Sequence, residues 1–313
     1  MLFSFGELAT TTVVPYRNPI QPAKLKLPDP SILKYEGGYY LYGTDTQSGQ
    51  FRSFHSTNLL HWMNTGPVQE LIDTDDWSPV SRSNPKVYDR RGAYYLIYNG
   101  YSADGQACVC SAIAASPMGD FIDSPANPIT PLSWGNCRDA SLHTDSEGKH
   151  WLIYISDDAF GTSRIVMHAF DRYLKRLTGD AIVLVDADHL DWARPHSTTN
   201  GAASQLETPT LLAINGYYVL MYSAGTEDGP CVGYCVSQRL QGPYHDRGVL
   251  MHHDGGPASC VIGPDGHSLY VVYRNSNHRN DAEHIHMDRL DIGYEGVMRL
   301  DQSSGEERFI RVR

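Results

Sequence analysis

The stretch 206–222 reads L-E-T-P-T-L-L-A-I-N-G-Y-Y-V-L-M-Y. Two apolar runs flank Asn215-Gly216, a dipeptide that supplies the positive φ angles of a tight reversal. The second run is aromatic and β-branched, the composition of a half-buried strand. One carboxylate, Glu207, stands near the start of the first run. The pattern predicts a β-hairpin.

Four other segments repeat it: D-P-S-I-L-K-Y-E-G-G-Y-Y-L-Y-G (29–43), N-P-K-V-Y-D-R-R-G-A-Y-Y-L-I-Y (84–98), D-A-S-L-H-T-D-S-E-G-K-H-W-L-I-Y (139–154) and S-C-V-I-G-P-D-G-H-S-L-Y-V-V-Y (259–273). Aligned on Gly43, Tyr98, Tyr154, Tyr222 and Tyr273, the copies lie 55, 56, 68 and 51 residues apart. Repetition at that period, with strands and little room for long helices, predicts an all-β, five-bladed β-propeller. Five copies occupy nearly all of residues 1–313, so a single domain is expected. The strand-prone segment 7–14 is expected to complete the last blade.

In this alignment the first strands open on Asp29, Asn84, Asp139, Glu207 and Ser259. Innermost strands of a propeller converge on its axis, which would gather three carboxylates in one pocket. Glycoside hydrolysis needs two such groups, one to protonate the leaving oxygen and one to activate water or attack carbon. A third can set the pKa of the acid.

Composition narrows the partners. The formal charge is −11, with 36 acidic and 25 basic residues and no basic stripe. That argues against nucleic acid or an anionic membrane and suits a neutral oligosaccharide. No apolar run is long enough for a membrane helix. Segment 1–14 lacks the charged and apolar regions of a signal peptide, so a cytoplasmic enzyme is expected. The spacings of Cys108/Cys110 and Cys231/Cys235 are those of strand residues facing a blade interior rather than of a zinc site.

At the three carboxylates the chain resembles glycoside hydrolase family 43, whose members include α-L-arabinofuranosidases, β-xylosidases and arabinanases. L-P-D-P-S-I resembles the family's general-base segment, R-D-A-S-L the segment of its pKa-modulating aspartate, and L-E-T-P-T-L its general-acid segment. The resemblance, over about residues 25–295, implies Asp29 as base, Asp139 as modulator and Glu207 as acid in an inverting reaction. An Asp29–Glu207 carboxyl separation of roughly 6.5–9.5 Å would follow. An exo-acting α-L-arabinofuranosidase is the first expectation, with a β-xylosidase or arabinanase as alternatives. A non-catalytic sugar-binding propeller is the alternative from another class.

Asn84, Arg138 and Arg274 are expected beside the carboxylates as sugar-binding groups. Trp77 and His196 would join them from loops, Trp77 as a stacking surface or as packing. Three departures from the family pattern stand out. Lys86, in S-N-P-K, replaces a customary glutamate. Gly256-Pro257-Ala258-Ser259 replaces a His-bearing segment that helps hold a channel metal, so no metal or other cofactor is expected. Arg138-Asp139 also resembles a motif of the related retaining fructosidases, which keeps that reading open.

Overall fold

The computed structural model describes residues 12–20, 27–68, 79–193, 205–226, 229–252, 258–277, 282–300 and 306–312. Twenty strands form five four-stranded antiparallel sheets, each built from consecutive strands. We number these blades 1 (31–67), 2 (81–123), 3 (137–186), 4 (206–251) and 5 (258–300). Their first strands are Ser31–Tyr35, Ser81–Arg90, Cys137–Thr144, Leu206–Ile214 and Ala258–Ile262. Each touches the first strand of the next blade, and the fifth touches the first, so they close a ring around a central axis. The fold is a five-bladed β-propeller.

The repeated hairpins form as the turn chemistry requires. Glu36-Gly37, Arg91-Gly92 and Asn215-Gly216 all take positive φ at both turn positions, the geometry that matches the twist of the flanking strands. The aromatic strands supply the core. Tyr98, Tyr154, Tyr222 and Tyr273 are each at most 2% exposed. Three of their hydroxyls reach a partner: Tyr98 donates to Asp123 at 2.6 Å, Tyr273 donates to Asp288 at 2.8 Å, and Tyr154 pairs with His168 Nδ1 at 3.0 Å. A buried phenol needs such a bond to offset its desolvation. In blade 1 glycine takes this place because Leu27 fills it; a Cβ on Gly43 would stand 2.8 Å from the Leu27 Cβ. The four cysteines singled out by spacing are buried within blades 2 and 4.

The chain ends depart from expectation. Thr12–Tyr16 pairs with Arg308–Val312 as a separate two-stranded sheet, and blade 5 has four strands of its own. Its outer strand is short and pairs only with Leu290–Ile292. The arm that follows Tyr16 covers the rest of that edge. Ile20 N–H donates to Ile285 O at 3.0 Å, and the Asn18 amide brackets Met287, accepting from its N–H at 2.9 Å and donating to its carbonyl at 3.0 Å. Unpaired strand edges seek such partners. Tyr16, Ile20 and Leu27 then pack with Leu41, Phe54 and Trp62 of blade 1 and with Val272 and Met287 of blade 5. Among the described residues no helix is long and apolar enough to cross a membrane.

Candidate active site

A pocket of about 480 Å³ opens at one end of the axis, lined by residues of blades 2 to 5 and by Pro28 and Asp29, which lead into blade 1. Asp29, Asn84, Arg138, Asp139, Glu207 and Arg274 all line it, so six of the eight residues singled out by sequence come together. Trp77 and His196 lie outside the described residues.

The ladders correct the alignment of the five copies. Ser31 pairs with Tyr42, Lys86 with Ile97, Ser141 with Ile153, Thr210 with Met221 and Ser259 with Val272. Counting back two residues, Asp29, Asn84, Asp139 and Thr208 share a place. Glu207 sits one residue earlier and Ser259 two residues later. Bulges in blades 2, 3 and 4 interrupt the ladders here, and Asn84, Asp139 and Thr208 carry φ of 55°, 58° and 46°. A bulge re-aims side chains at a barrel or propeller rim. Positive φ in a β-branched threonine costs of the order of 1–3 kcal/mol, which persists only where neighbours hold it.

The three carboxyls occupy different environments. Asp29 is 6% exposed and accepts three bonds: from Thr44 N–H at 2.7 Å, Thr44 Oγ1 at 2.6 Å and Asn84 N–H at 2.5 Å. Burial pushes its pKa up, and those three bonds oppose the shift. Asp139 accepts at Oδ1 from the Asn84 and Asn99 amides at 2.7 and 2.8 Å, and at Oδ2 from Arg138 at 3.0 Å and Thr208 N–H at 3.3 Å. Burial disfavours its charge, but Arg138, the two amides and Lys86 outweigh that and hold its pKa below the ordinary value. Glu207 is open to the pocket, and among the described residues no hydrogen bond holds its carboxyl. The protein walls around it raise its pKa first and the Asp139 charge second, against Arg138 and Arg274.

Arg138 has little left to offer a sugar. Its guanidinium donates to Asp139, the Leu206 carbonyl, Asp157 and Ser163 over 3.0–3.4 Å. It ties blade 3 to blade 4 and fixes Asp139. Asn84 likewise serves the carboxylates, with its backbone on Asp29 and its side chain on Asp139.

Sequence reading passed over Thr44 and Asn99. A signal existed: Thr44, Asn99, Ile155, Ser223 and Arg274 each follow the repeat-ending residue, and four of the five are polar. Thr44 binds Asp29, Asn99 binds Asp139, Ser223 meets Thr208 at 3.3 Å, and Arg274 lines the pocket.

Lys86 lies buried two residues below Asn84, its ammonium 3.4 Å from the Pro209 carbonyl of blade 4. Burial pushes its pKa down to about 8, opposed by the charges of Asp139 and Asp29. A fixed cation here disfavours a metal ion beside the same carboxylates. Among the described residues, no three His, Cys, Asp or Glu side chains gather as a metal-ligand set. The Lys86 charge thus weighs against a cation placed directly between Asp29 and Asp139.

A family model described as Glycosyl hydrolases family 43 matches residues 16–297. The chain belongs to glycosyl hydrolases family 43. Extracellular endo-alpha-(1->5)-L-arabinanase 1 of Bacillus subtilis (strain 168) is 28% identical to this family-43 enzyme over 259 residues, covering 76% of this chain and 73% of that protein. Extracellular endo-alpha-(1->5)-L-arabinanase 2 of the same organism is 23% identical over 271 residues, covering 76% of this chain and 52% of that protein. The match thus spans about half the length of the second relative. The crystal structure of an endo-arabinase from Bacteroides thetaiotaomicron VPI-5482 superposes with a TM-score of 0.80 at 25% identity, covering 89% of this chain and 99% of that one. This family-43 enzyme is a glycoside hydrolase. The expectation of a cytoplasmic location is overturned, because both Bacillus relatives are named as extracellular enzymes.

Proposed function

We propose that this enzyme hydrolyses α-1,5-linked L-arabinose chains with inversion, Asp29 acting as general base, Glu207 as general acid and Asp139 as modulator of the acid. The observation that carries the chemistry is the contrast between carboxyls. Among the described residues Glu207 has no hydrogen-bond partner; it is open to the pocket and raised in pKa, which suits a proton donor. Asp29 has donors on both oxygens, which favour a carboxylate able to accept a proton. Asp139 keeps its charge beside Glu207 and so favours the protonated acid.

In the step itself, Asp29 takes one proton from a water whose oxygen bonds to the anomeric carbon. The carbon–oxygen bond to the leaving sugar breaks on the opposite face, and the Glu207 proton passes to that leaving oxygen. Inversion follows from the two groups acting on opposite faces. Arabinose as the sugar rests on the Bacillus relatives named as arabinanases. Their names also support action on polymer outside the cell.

The test sets linear α-1,5-arabinan beside nitrophenyl α-L-arabinofuranoside and nitrophenyl β-xyloside. Release of short arabino-oligosaccharides, with proton NMR showing the opposite anomer first, is expected. Faster turnover of the arabinofuranoside, with arabinose as the one product, would move the enzyme to exo action. Retention, or a trapped glycosyl-Asp29, would move it to the fructosidase-like mechanism.

A further inference from the structure

The short turn Leu132–Trp134, which leads into the first strand of blade 3, carries an indole that the hydrolytic chemistry does not use. Trp134 is 44% exposed. One face of its ring lies on His168, with centroids 5.3 Å apart and planes 20° from parallel. His168 is buried and held by the Tyr154 hydroxyl at 3.0 Å, so the indole is propped from behind by a fixed ring. The loop is pinned as well. The Gln106 side chain donates to the carbonyls of Leu132 and Gly135, and Asp157 N–H donates to Asn136 O at 3.0 Å.

This platform is not an isolated exposed aromatic. It lines a groove of about 570 Å³ with Asp104, Gln106, Asn136, Asp157 and Asp158. Gly105, Asn136 and Asp157 line both this groove and the catalytic pocket, so the two adjoin over blades 2 and 3. A flat apolar face edged by carboxylate and amide groups suits a sugar ring, whose C–H face stacks while its hydroxyls donate outward.

We propose that Trp134 is the floor of a second sugar-binding position, which holds another pentose unit of the chain whose scissile bond lies in the catalytic pocket. The position makes the enzyme sensitive to chain length. It rests on the reading of the pocket as a pentose-chain hydrolase, and the experiment separates the two.

Values of kcat/KM are measured for the wild type, Trp134→Ala and Trp134→Phe on α-1,5-arabino-oligosaccharides of increasing length and on the matching xylo-oligosaccharide series, with melting temperatures as the folding control. In the wild type kcat/KM should rise with length. Trp134→Ala should reduce the ratio of long-chain to short-chain kcat/KM by about three- to tenfold, the size of one lost stacking contact. Trp134→Phe, which keeps a ring, should restore much of it. If the arabino-series is inert and the xylo-series is cut, the arabinanase reading falls, while the length dependence of the xylo-series still reads the platform. An unchanged ratio in a stably folded Trp134→Ala variant, on whichever series is cut, overturns the second position. Turnover of neither series overturns both.

Discussion

Asn84 donates its backbone N–H to Asp29 at 2.5 Å, so blade 2 gives the proposed base a partner that no substitution but proline removes. The Asn84 side chain meanwhile holds Asp139 at 2.7 Å. Asn84→Gly should therefore leave Asp29 bonded and release one donor from Asp139. A hydrogen bond to a charged group contributes about 1.5–3 kcal/mol, so a kcat loss of roughly tenfold or more is expected. Asn84→Ala should lose stability besides, since alanine at φ 55° is strained by about 1–2 kcal/mol. Comparing kcat and melting temperature for the pair separates the two effects. Equal stability for both variants would contradict the backbone argument.

Asp29→Asn and Glu207→Gln should each lower kcat by at least about 10²-fold, the lower end of general acid–base contributions. The Glu207→Gln loss should be larger on substrates with poor leaving groups, which need the proton most. Near-wild-type turnover of such a substrate by either variant would remove that residue from its role.

The pH profile should be bell-shaped. Asp29 must be ionised, so activity falls as pH drops through its pKa, which lies above the ordinary 3.8. Glu207 must be protonated, so activity falls as pH rises through its pKa, which lies above the ordinary 4.5. Both limbs thus sit at higher pH than isolated side chains would place them. Asp139→Asn removes a charge that keeps Glu207 protonated and should move the alkaline limb to lower pH. The profile of kcat/KM for that variant is the check; an alkaline limb that stays put would mean Asp139 does not tune the acid.

How far the sequence carried this reading depended on what the repeats encode. Tyr98, Tyr154, Tyr222 and Tyr273 marked the blades because one buried ring per hairpin is a packing requirement, visible as period and composition. The place of Glu207 was hidden. From Ser141 to its partner Ile153 the hairpin of blade 3 runs one residue longer than from Thr210 to Met221 in blade 4, because a longer turn outweighs one fewer strand pair. Asp139 and Glu207 therefore stand equally far from their tyrosines while lying one residue apart in the ladder. Bulges leave no signature in residue type. The bonds of Arg138 were hidden for another reason: Asp157 and Ser163 reach it only when the second and third strands of blade 3 pair, and the Leu206 carbonyl only when blade 4 packs beside blade 3.

Lys86→Met, close in length and without charge, should leave the fold intact and move the acid limb to higher pH. Removing the cation makes ionised Asp29 and Asp139 less favourable, and kcat/KM at pH 5 should fall by roughly tenfold. EDTA should leave the rate and melting temperature of the wild type nearly unchanged. A limb unmoved by Lys86→Met would reduce the lysine to packing, and a calcium-restored loss would show that a metal serves the site after all.

The pairing of Thr12–Tyr16 with Arg308–Val312 has a mechanical consequence. Thr12 lies opposite Val312 at the open end of the pair, so tension applied through these two residues loads its bonds one after another and peels the strands apart. Peeling ends at Tyr16 and Arg308, and the load then passes through Ile20 and Leu27 to the seam between blades 1 and 5. Asp29, just before the first strand of blade 1, and Arg274, in the second strand of blade 5, both line the catalytic pocket. A pulling experiment that records activity should find hydrolysis failing when the seam parts, while the five sheets themselves are still folded.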